Sequence, residues 1–109
     1  MVDDILIGQR DIQKINWQIP NINLIGYNVS FVMSDQMGHD YIIPCIQQSR
    51  SDTYLKMSDG GICIPFSQKE TAFPGLYWCH FVLKKIHEKE QLTYPLDHYI
   101  TVRVRKSAA

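Results

Sequence analysis

The stretch Pro74-Gly75-Leu76-Tyr77-Trp78-Cys79-His80-Phe81-Val82-Leu83-Lys84-Lys85-Ile86 decides the fold. Tyr77, Cys79, Phe81 and Leu83 share one parity and Trp78, His80 and Val82 the other, the period-two pattern of a strand with one face in a core. Upstream, Ser67-Gln68-Lys69-Glu70 fits a capping box, and Pro74-Gly75 confines it to a short helical turn near residues 67–72. Ile62, Ile64 and Phe66 alternate before it, behind Ser58-Asp59-Gly60-Gly61, the strongest turn signal in the chain. A short strand is expected over residues 53–57, after a break at Ser49-Arg50-Ser51-Asp52. Residues 27–33 alternate cleanly, and with residues 41–46 they predict a hairpin across Ser34-Asp35-Gln36-Met37-Gly38. The first run is 12–19, with Ile15, Trp17 and Ile19 on one parity, stopped at Pro20-Asn21. Downstream, the mixed charges of residues 84–90 predict a solvated hairpin tip. Thr93 and Tyr94 begin a return strand that Pro95 interrupts, and residues 99–105 close the chain. Seven or eight short strands with turns about every ten residues predict an all-β antiparallel sandwich or barrel. One domain over residues 1–109 is expected, with its core at about 11–105 and short flexible termini.

Composition agrees. Fourteen Ile and six Val stand against three Ala in 109 residues, and twelve residues are aromatic, which favours pleated surfaces over helices. Eleven basic residues balance eleven acidic ones. That neutrality argues against a nucleic-acid partner, which needs a basic footprint. No run is long enough to span a membrane, and the acidic start, Met1-Val2-Asp3-Asp4, is unlike a secretory signal. The expectation is a soluble protein made in a reducing cytoplasm. Cys45, Cys63 and Cys79 are an odd number at wide spacing, each in or beside an apolar run. They read as core or sheet-face residues without a redox role rather than as a disulfide framework or a zinc site.

Enzyme chemistry is thin. The sequence carries no metalloprotease spacing, phosphate loop or nucleophile elbow. Of the histidines, His39 and His98 are the weak candidates for a His–carboxylate pair, and His39-Asp40 and His87-Glu88 are neighbours that a strand would point apart. His87, Glu88 and Glu90 read as solvated charge rather than metal ligands. No catalytic, cofactor or metal residue is therefore expected. Arg103, Arg105 and Lys106 fit an edge strand protected by charge, or a contact with phosphate or an acidic partner. Tyr77, two residues before a Cys and just after a turn, resembles the tyrosine corner of immunoglobulin-like sandwiches, whose hydroxyl bonds back to the preceding loop. An inter-sheet disulfide is not expected, because the early strands carry no Cys. With one parity of residues 76–86 in the core, Trp78, His80 and Val82 fall on the outer face. Val32 and one of Ile42 or Ile46 join them there. An apolar outer face is either a protein–protein surface or a patch that a neighbouring loop covers.

Three stretches carry a family resemblance. They are Leu24-Ile25-Gly26-Tyr27-Asn28-Val29-Ser30-Phe31-Val32-Met33, the block from Ile62-Cys63-Ile64-Pro65-Phe66-Ser67 through Glu70-Thr71 to Pro74-Gly75-Leu76-Tyr77, and the closing Tyr99-Ile100-Thr101-Val102-Arg103-Val104. Together, over most of residues 11–105, they resemble the N-terminal domain of upper baseplate proteins of tailed phages and related small virion proteins. Ile25 stands where that family often has Thr, and Cys79 where Asp is common. The resemblance implies an immunoglobulin-like β-sandwich and a non-enzymatic structural subunit of a phage virion, in the tail, baseplate or neck. Its partners would be other virion proteins and copies of itself, with no nucleic acid and no membrane. The alternatives are a head-decoration protein of the same fold, and a module that binds carbohydrate or a host receptor through exposed aromatics such as Trp78 or Tyr94.

Overall fold

A computed structural model describes residues 4–46 and 56–106. It contains eight strands: β1 (Asp4–Gly8), β2 (Gln13–Gln18), β3 (Tyr27–Ser34), β4 (Asp40–Pro44), β5 (Gly61–Phe66), β6 (Gly75–Lys85), β7 (Gln91–Tyr94) and β8 (Ile100–Arg105). Among the described residues, the one helical segment is a 3-10 turn at Met57–Asp59. Two sheets face each other. The larger has the order β1-β8-β6-β3-β4, with β7 also on β6, and the smaller is the antiparallel pair β2-β5. The chain is therefore an all-β sandwich.

Alternation places each strand's core face. Tyr77, Cys79, Phe81 and Leu83 of β6 are buried between Val29, Phe31 and Met33 of β3 and Ile100, Val102 and Val104 of β8. From the smaller sheet, Ile62, Ile64 and Phe66 close over them. Aromatic rings lock the layers together: Phe31 lies 5.0 Å from Phe81 and 5.9 Å, edge on, from Phe66, and Trp17 lies 6.4 Å from Phe81. Such pairs add about 0.5–1.5 kcal/mol each beyond their burial.

The structure departs from the sequence reading in four places. The core starts before residue 11, because Ile5 and Ile7 of β1 are buried against Val102 and Val104. The β1–β8 pair is parallel, while every other strand pairing is antiparallel. Pairing between the two ends of a chain leaves no local signal, so Ile5-Leu6-Ile7 does not stand out as a strand. The strand expected at 53–57 falls mostly outside the described residues, as does the break at 49–52, and Met57 instead opens the 3-10 turn. The turn at Ser67 forms with Glu70 Oε2 accepting from both the Ser67 amide at 2.7 Å and its hydroxyl at 2.6 Å. A single long bond from the Thr71 amide to the Ser67 carbonyl, 3.4 Å, closes it as a turn, and the expected helical turn does not form.

Candidate protein interface

The outward parity of β6 sits at the centre of the larger sheet, and strand register fixes what lies beside it. Trp78 stands opposite Thr101 of β8 and Ser34 of β3, and Ser34 in turn opposite Asp40 of β4. His80 stands opposite Val32, and Val32 opposite Ile42. Val82 lies between Thr93 of β7 and Ser30 of β3, with Pro44 beyond. Leu76 faces Arg103, which faces Leu6 of β1. The result is a cross-strand row, His80, Val32 and Ile42, with Trp78 and Val82 on either side of His80 along β6, flanked by hydroxyls, with Arg103 and Asp40 toward opposite sides. An apolar centre with a polar rim is the anatomy of a protein contact surface.

The four outer-face residues singled out by alternation are thus brought together, and their exposures differ. Trp78, His80 and Val82 are half-buried. Val32 is only 9% exposed and sits too deep to supply contact area itself, whereas Ile42 beside it is 64% exposed. Of the two isoleucines left open by the sequence, Ile42 belongs to this face, and Ile46 forms a bridge with Cys63 of the smaller sheet. Tyr94 does not: it stands opposite Phe81 on the inward parity and packs against the core. It is not an exposed aromatic.

A feature that alternation does not reveal lies beside His80. β7 ends opposite Phe81 and β8 begins opposite Cys79, so His80 alone separates their registers on β6. Residues 95–99 connect the two strands and must loop out at that level. The excursion forms a recess of about 300 Å³ lined by His80, Thr93 and residues 95–99. Leu96 is 88% and Tyr99 60% exposed on it. Within the loop, His98 Nδ1 lies 2.7 Å from Asp97 Oδ1, a bond that holds the Asp97 carboxyl below its ordinary range.

Tyr77 lies on the buried parity, and its hydroxyl donates to the Phe73 carbonyl at 2.7 Å. Phe73 belongs to the connection from β5 to β6, which crosses between the sheets, so the bond ties the crossover to the strand it feeds. His39 lies in the β3–β4 turn and pairs with Asp35, Nδ1 to Oδ2 3.2 Å, rather than with Asp40, which accepts from Ser34 Oγ at 2.6 Å. Burial would push the Asp35 carboxyl up, but bonds from the amides of His39 and Met37 and from the His39 ring outweigh it, and the group sits below its usual range. His87, Glu88 and Glu90 are exposed at the β6–β7 tip, and among the described residues no three His, Cys, Asp or Glu side chains converge as metal ligands. Cys79 and Cys63 are buried and Cys45 half-buried, all as free thiols. Burial pushes the Cys45 and Cys79 thiols up to about 12, so both stay protonated and unreactive at neutral pH. Arg103 and Arg105 of β8 and Lys106 beyond it are exposed.

With this geometry the chain is similar to the N-terminal domain of phage TP901-1 ORF48, with a TM-score of 0.63 at 16% identity, covering 94% of this chain and 84% of that one. The likeness is one of fold. No protein-family model matches the chain, and no curated protein matches it in sequence. The correspondence spans both sheets, since coverage on that scale reaches nearly every strand described above.

Proposed function

We propose that the chain is a non-enzymatic structural subunit of a tailed-phage virion, in the tail, baseplate or neck, which joins other virion proteins and copies of itself. The single observation that carries this reading is the near full-length likeness to a phage protein domain. The apolar row on the outer face supports it, because a joint protein needs a surface that a neighbour covers. The neutral balance of charge suits subunits packed against like copies. The experiment is to probe gradient-purified particles of the phage that encodes the chain with antibody to it, after separating heads from tails. The chain is expected in the tail fraction. Recovery with heads would make it a decoration subunit, and absence from particles would overturn the reading.

One observation favours a second reading, a module that binds carbohydrate. The recess at His80 sets the exposed Tyr99 ring beside Asp97 and His98, an apolar face next to polar groups. Titration of the isolated chain with host-wall saccharides, followed by Tyr99→Ala, separates the two. Saturable binding lost in that variant favours the module, and no binding favours the joint protein.

A further inference from the structure

The sheet edges of this molecule are not equivalent. On β1, the Gln9 amide donates to the Arg105 carbonyl, which sets the phase: Ile5 and Ile7 turn their backbone groups toward β8, and Leu6 and Gly8 turn theirs out. The outward end is then closed at Gly8, whose amide donates to Asp11 Oδ2 at 3.2 Å and whose carbonyl accepts from the Asp11 amide at 3.1 Å. On β4, the Cys45 amide bonds to the Val29 carbonyl, so the alternate residues Ile42 and Pro44 face away from β3. Pro44 has no N–H to offer there. β7 has four residues and stops at Pro95. These are the usual devices that blunt an edge.

β2 has neither a closing bond nor a proline along its outward edge, and Lys14 is its one charged side chain. The Ile19 amide bonds to the Gly60 carbonyl at 2.8 Å, so odd-numbered residues of β2 bond to β5, and Lys14, Asn16 and Gln18 turn N–H and C=O outward. The far side of β5 confirms the phase, since Cys63, opposite Asn16, exchanges both of its backbone bonds with Ile46 instead. No described residue pairs with the outward edge of β2.

We infer that this edge pairs with β2 of a second copy, antiparallel, about a twofold axis through Asn16. Three features of the strand are self-complementary in that register. Lys14 falls opposite the partner's Gln18, twice by symmetry; the Gln18 side-chain amide donates to the main-chain carbonyl of Asp59, which puts an acidic residue next to Gln18 on its β5 side. Ile12, 71% exposed just before β2, falls opposite the partner's Pro20. Near it lies an open recess of about 510 Å³ lined by Gln18, Asn21, Ile22, Asn23, Ser58 and Asp59, so Ile12 meets Pro20 and Ile22 at a mainly polar rim. Finally, a two-stranded sheet is the least self-sufficient kind. The pairing doubles it to four strands and covers the half-exposed flanks of Ile15 and Trp17. One strand pair buries less than the roughly 1,200 Å² of a standard stable interface, so the dimer depends on concentration.

This deepens the virion reading by giving its contact between copies a strand and a register; a monomeric chain would remove that contact, while presence in particles is tested separately by the antibody experiment. The test is sedimentation of the full chain over a concentration series. A monomer–dimer equilibrium is expected. Asn16→Pro removes one outward N–H without touching a β2–β5 bond, and weakens dimerisation roughly tenfold or more. Lys14→Glu and Asp59→Lys each weaken it, and together they restore it. Asn16→Cys forms an intermolecular disulfide on mild oxidation, since a hydrogen-bonded antiparallel pair sets its Cα atoms about 5.5 Å apart. If Asn16→Pro loses its β-sheet circular dichroism, the charge swap and the disulfide decide. A chain that stays monomeric, or a dimer indifferent to the charge variants and without the disulfide, overturns the proposal.

Discussion

Tyr77 joins two scales of the structure through one oxygen atom. Its ring is buried and meets Tyr41 edge on at 6.3 Å, while its hydroxyl reaches back to the Phe73 carbonyl in the crossover turn. Burial first, then the neighbouring Tyr41 and Asp35, raises the phenol's pKa, so it remains a donor across the working range. Tyr77→Phe keeps the ring and deletes the bond. It is expected to cost about 1 kcal/mol, more if the Phe73 carbonyl finds no water. Denaturant titration should show a lower midpoint with an unchanged slope. The residue was legible because Pro-Gly-x-Tyr-x-Cys places a Tyr two positions into a strand after a turn. Its acceptor was not, because nothing in the sequence states which carbonyl of the preceding turn faces inward. Gly60 shows the same limit. Asp-Gly-Gly announces a turn, and Gly60 indeed has φ 85°. That a Cβ there would run into the Ile19 carbonyl is a remote approach that only the folded chain reveals.

Among the elements, legibility follows the source of the signal. β3, β6 and β8 are legible from alternation because each buries mainly one face, and burial writes period two directly into the side chains, whereas β5 is buried on both faces and is marked by the turn before it. β1 leaves no such signal, because what defines it is a partner nearly a hundred residues away, in a parallel register that no turn announces. The split of the return chain at Pro95 was visible as a stop. That both halves lie along the same edge of β6, throwing residues 95–99 out beside His80, was not. β1 nevertheless belongs to the core, and one pair of variants tests this. Ile7→Ala removes a buried side chain and is expected to cost about 2–5 kcal/mol. Leu6→Ala, one residue away on the opposite face, is expected to change stability by no more than about 0.5 kcal/mol. Equal effects in thermal or denaturant unfolding would mean that β1 does not pack as described.

At the scale of the whole molecule, the proposed contacts use two surfaces among the described residues: the row across the larger sheet and the outward edge of the smaller one. They belong to different sheets, so separate variants can address them. Of the outer face, the sequence showed membership but not depth: parity assigned Trp78, His80, Val82 and Val32 to one side, while neighbouring side chains decide that Val32 is buried and Ile42 stands out. Ile42 is therefore the informative position. Ile42→Glu places a charge at the exposed β4 end of the row, where a partner covering it would have to desolvate it. Because the side chain is exposed in the free chain, folding stability should change by no more than about 0.5 kcal/mol. Incorporation into particles, in competition with the wild-type chain during infection, should drop sharply if the row is the joining surface. Asn16→Pro, measured in the same competition, reports on the β2 edge instead. Loss with Ile42→Glu alone assigns the joint to the larger sheet, and loss with Asn16→Pro alone assigns it to pairing between copies. Undiminished incorporation of Ile42→Glu would remove the outer face from the assembly altogether.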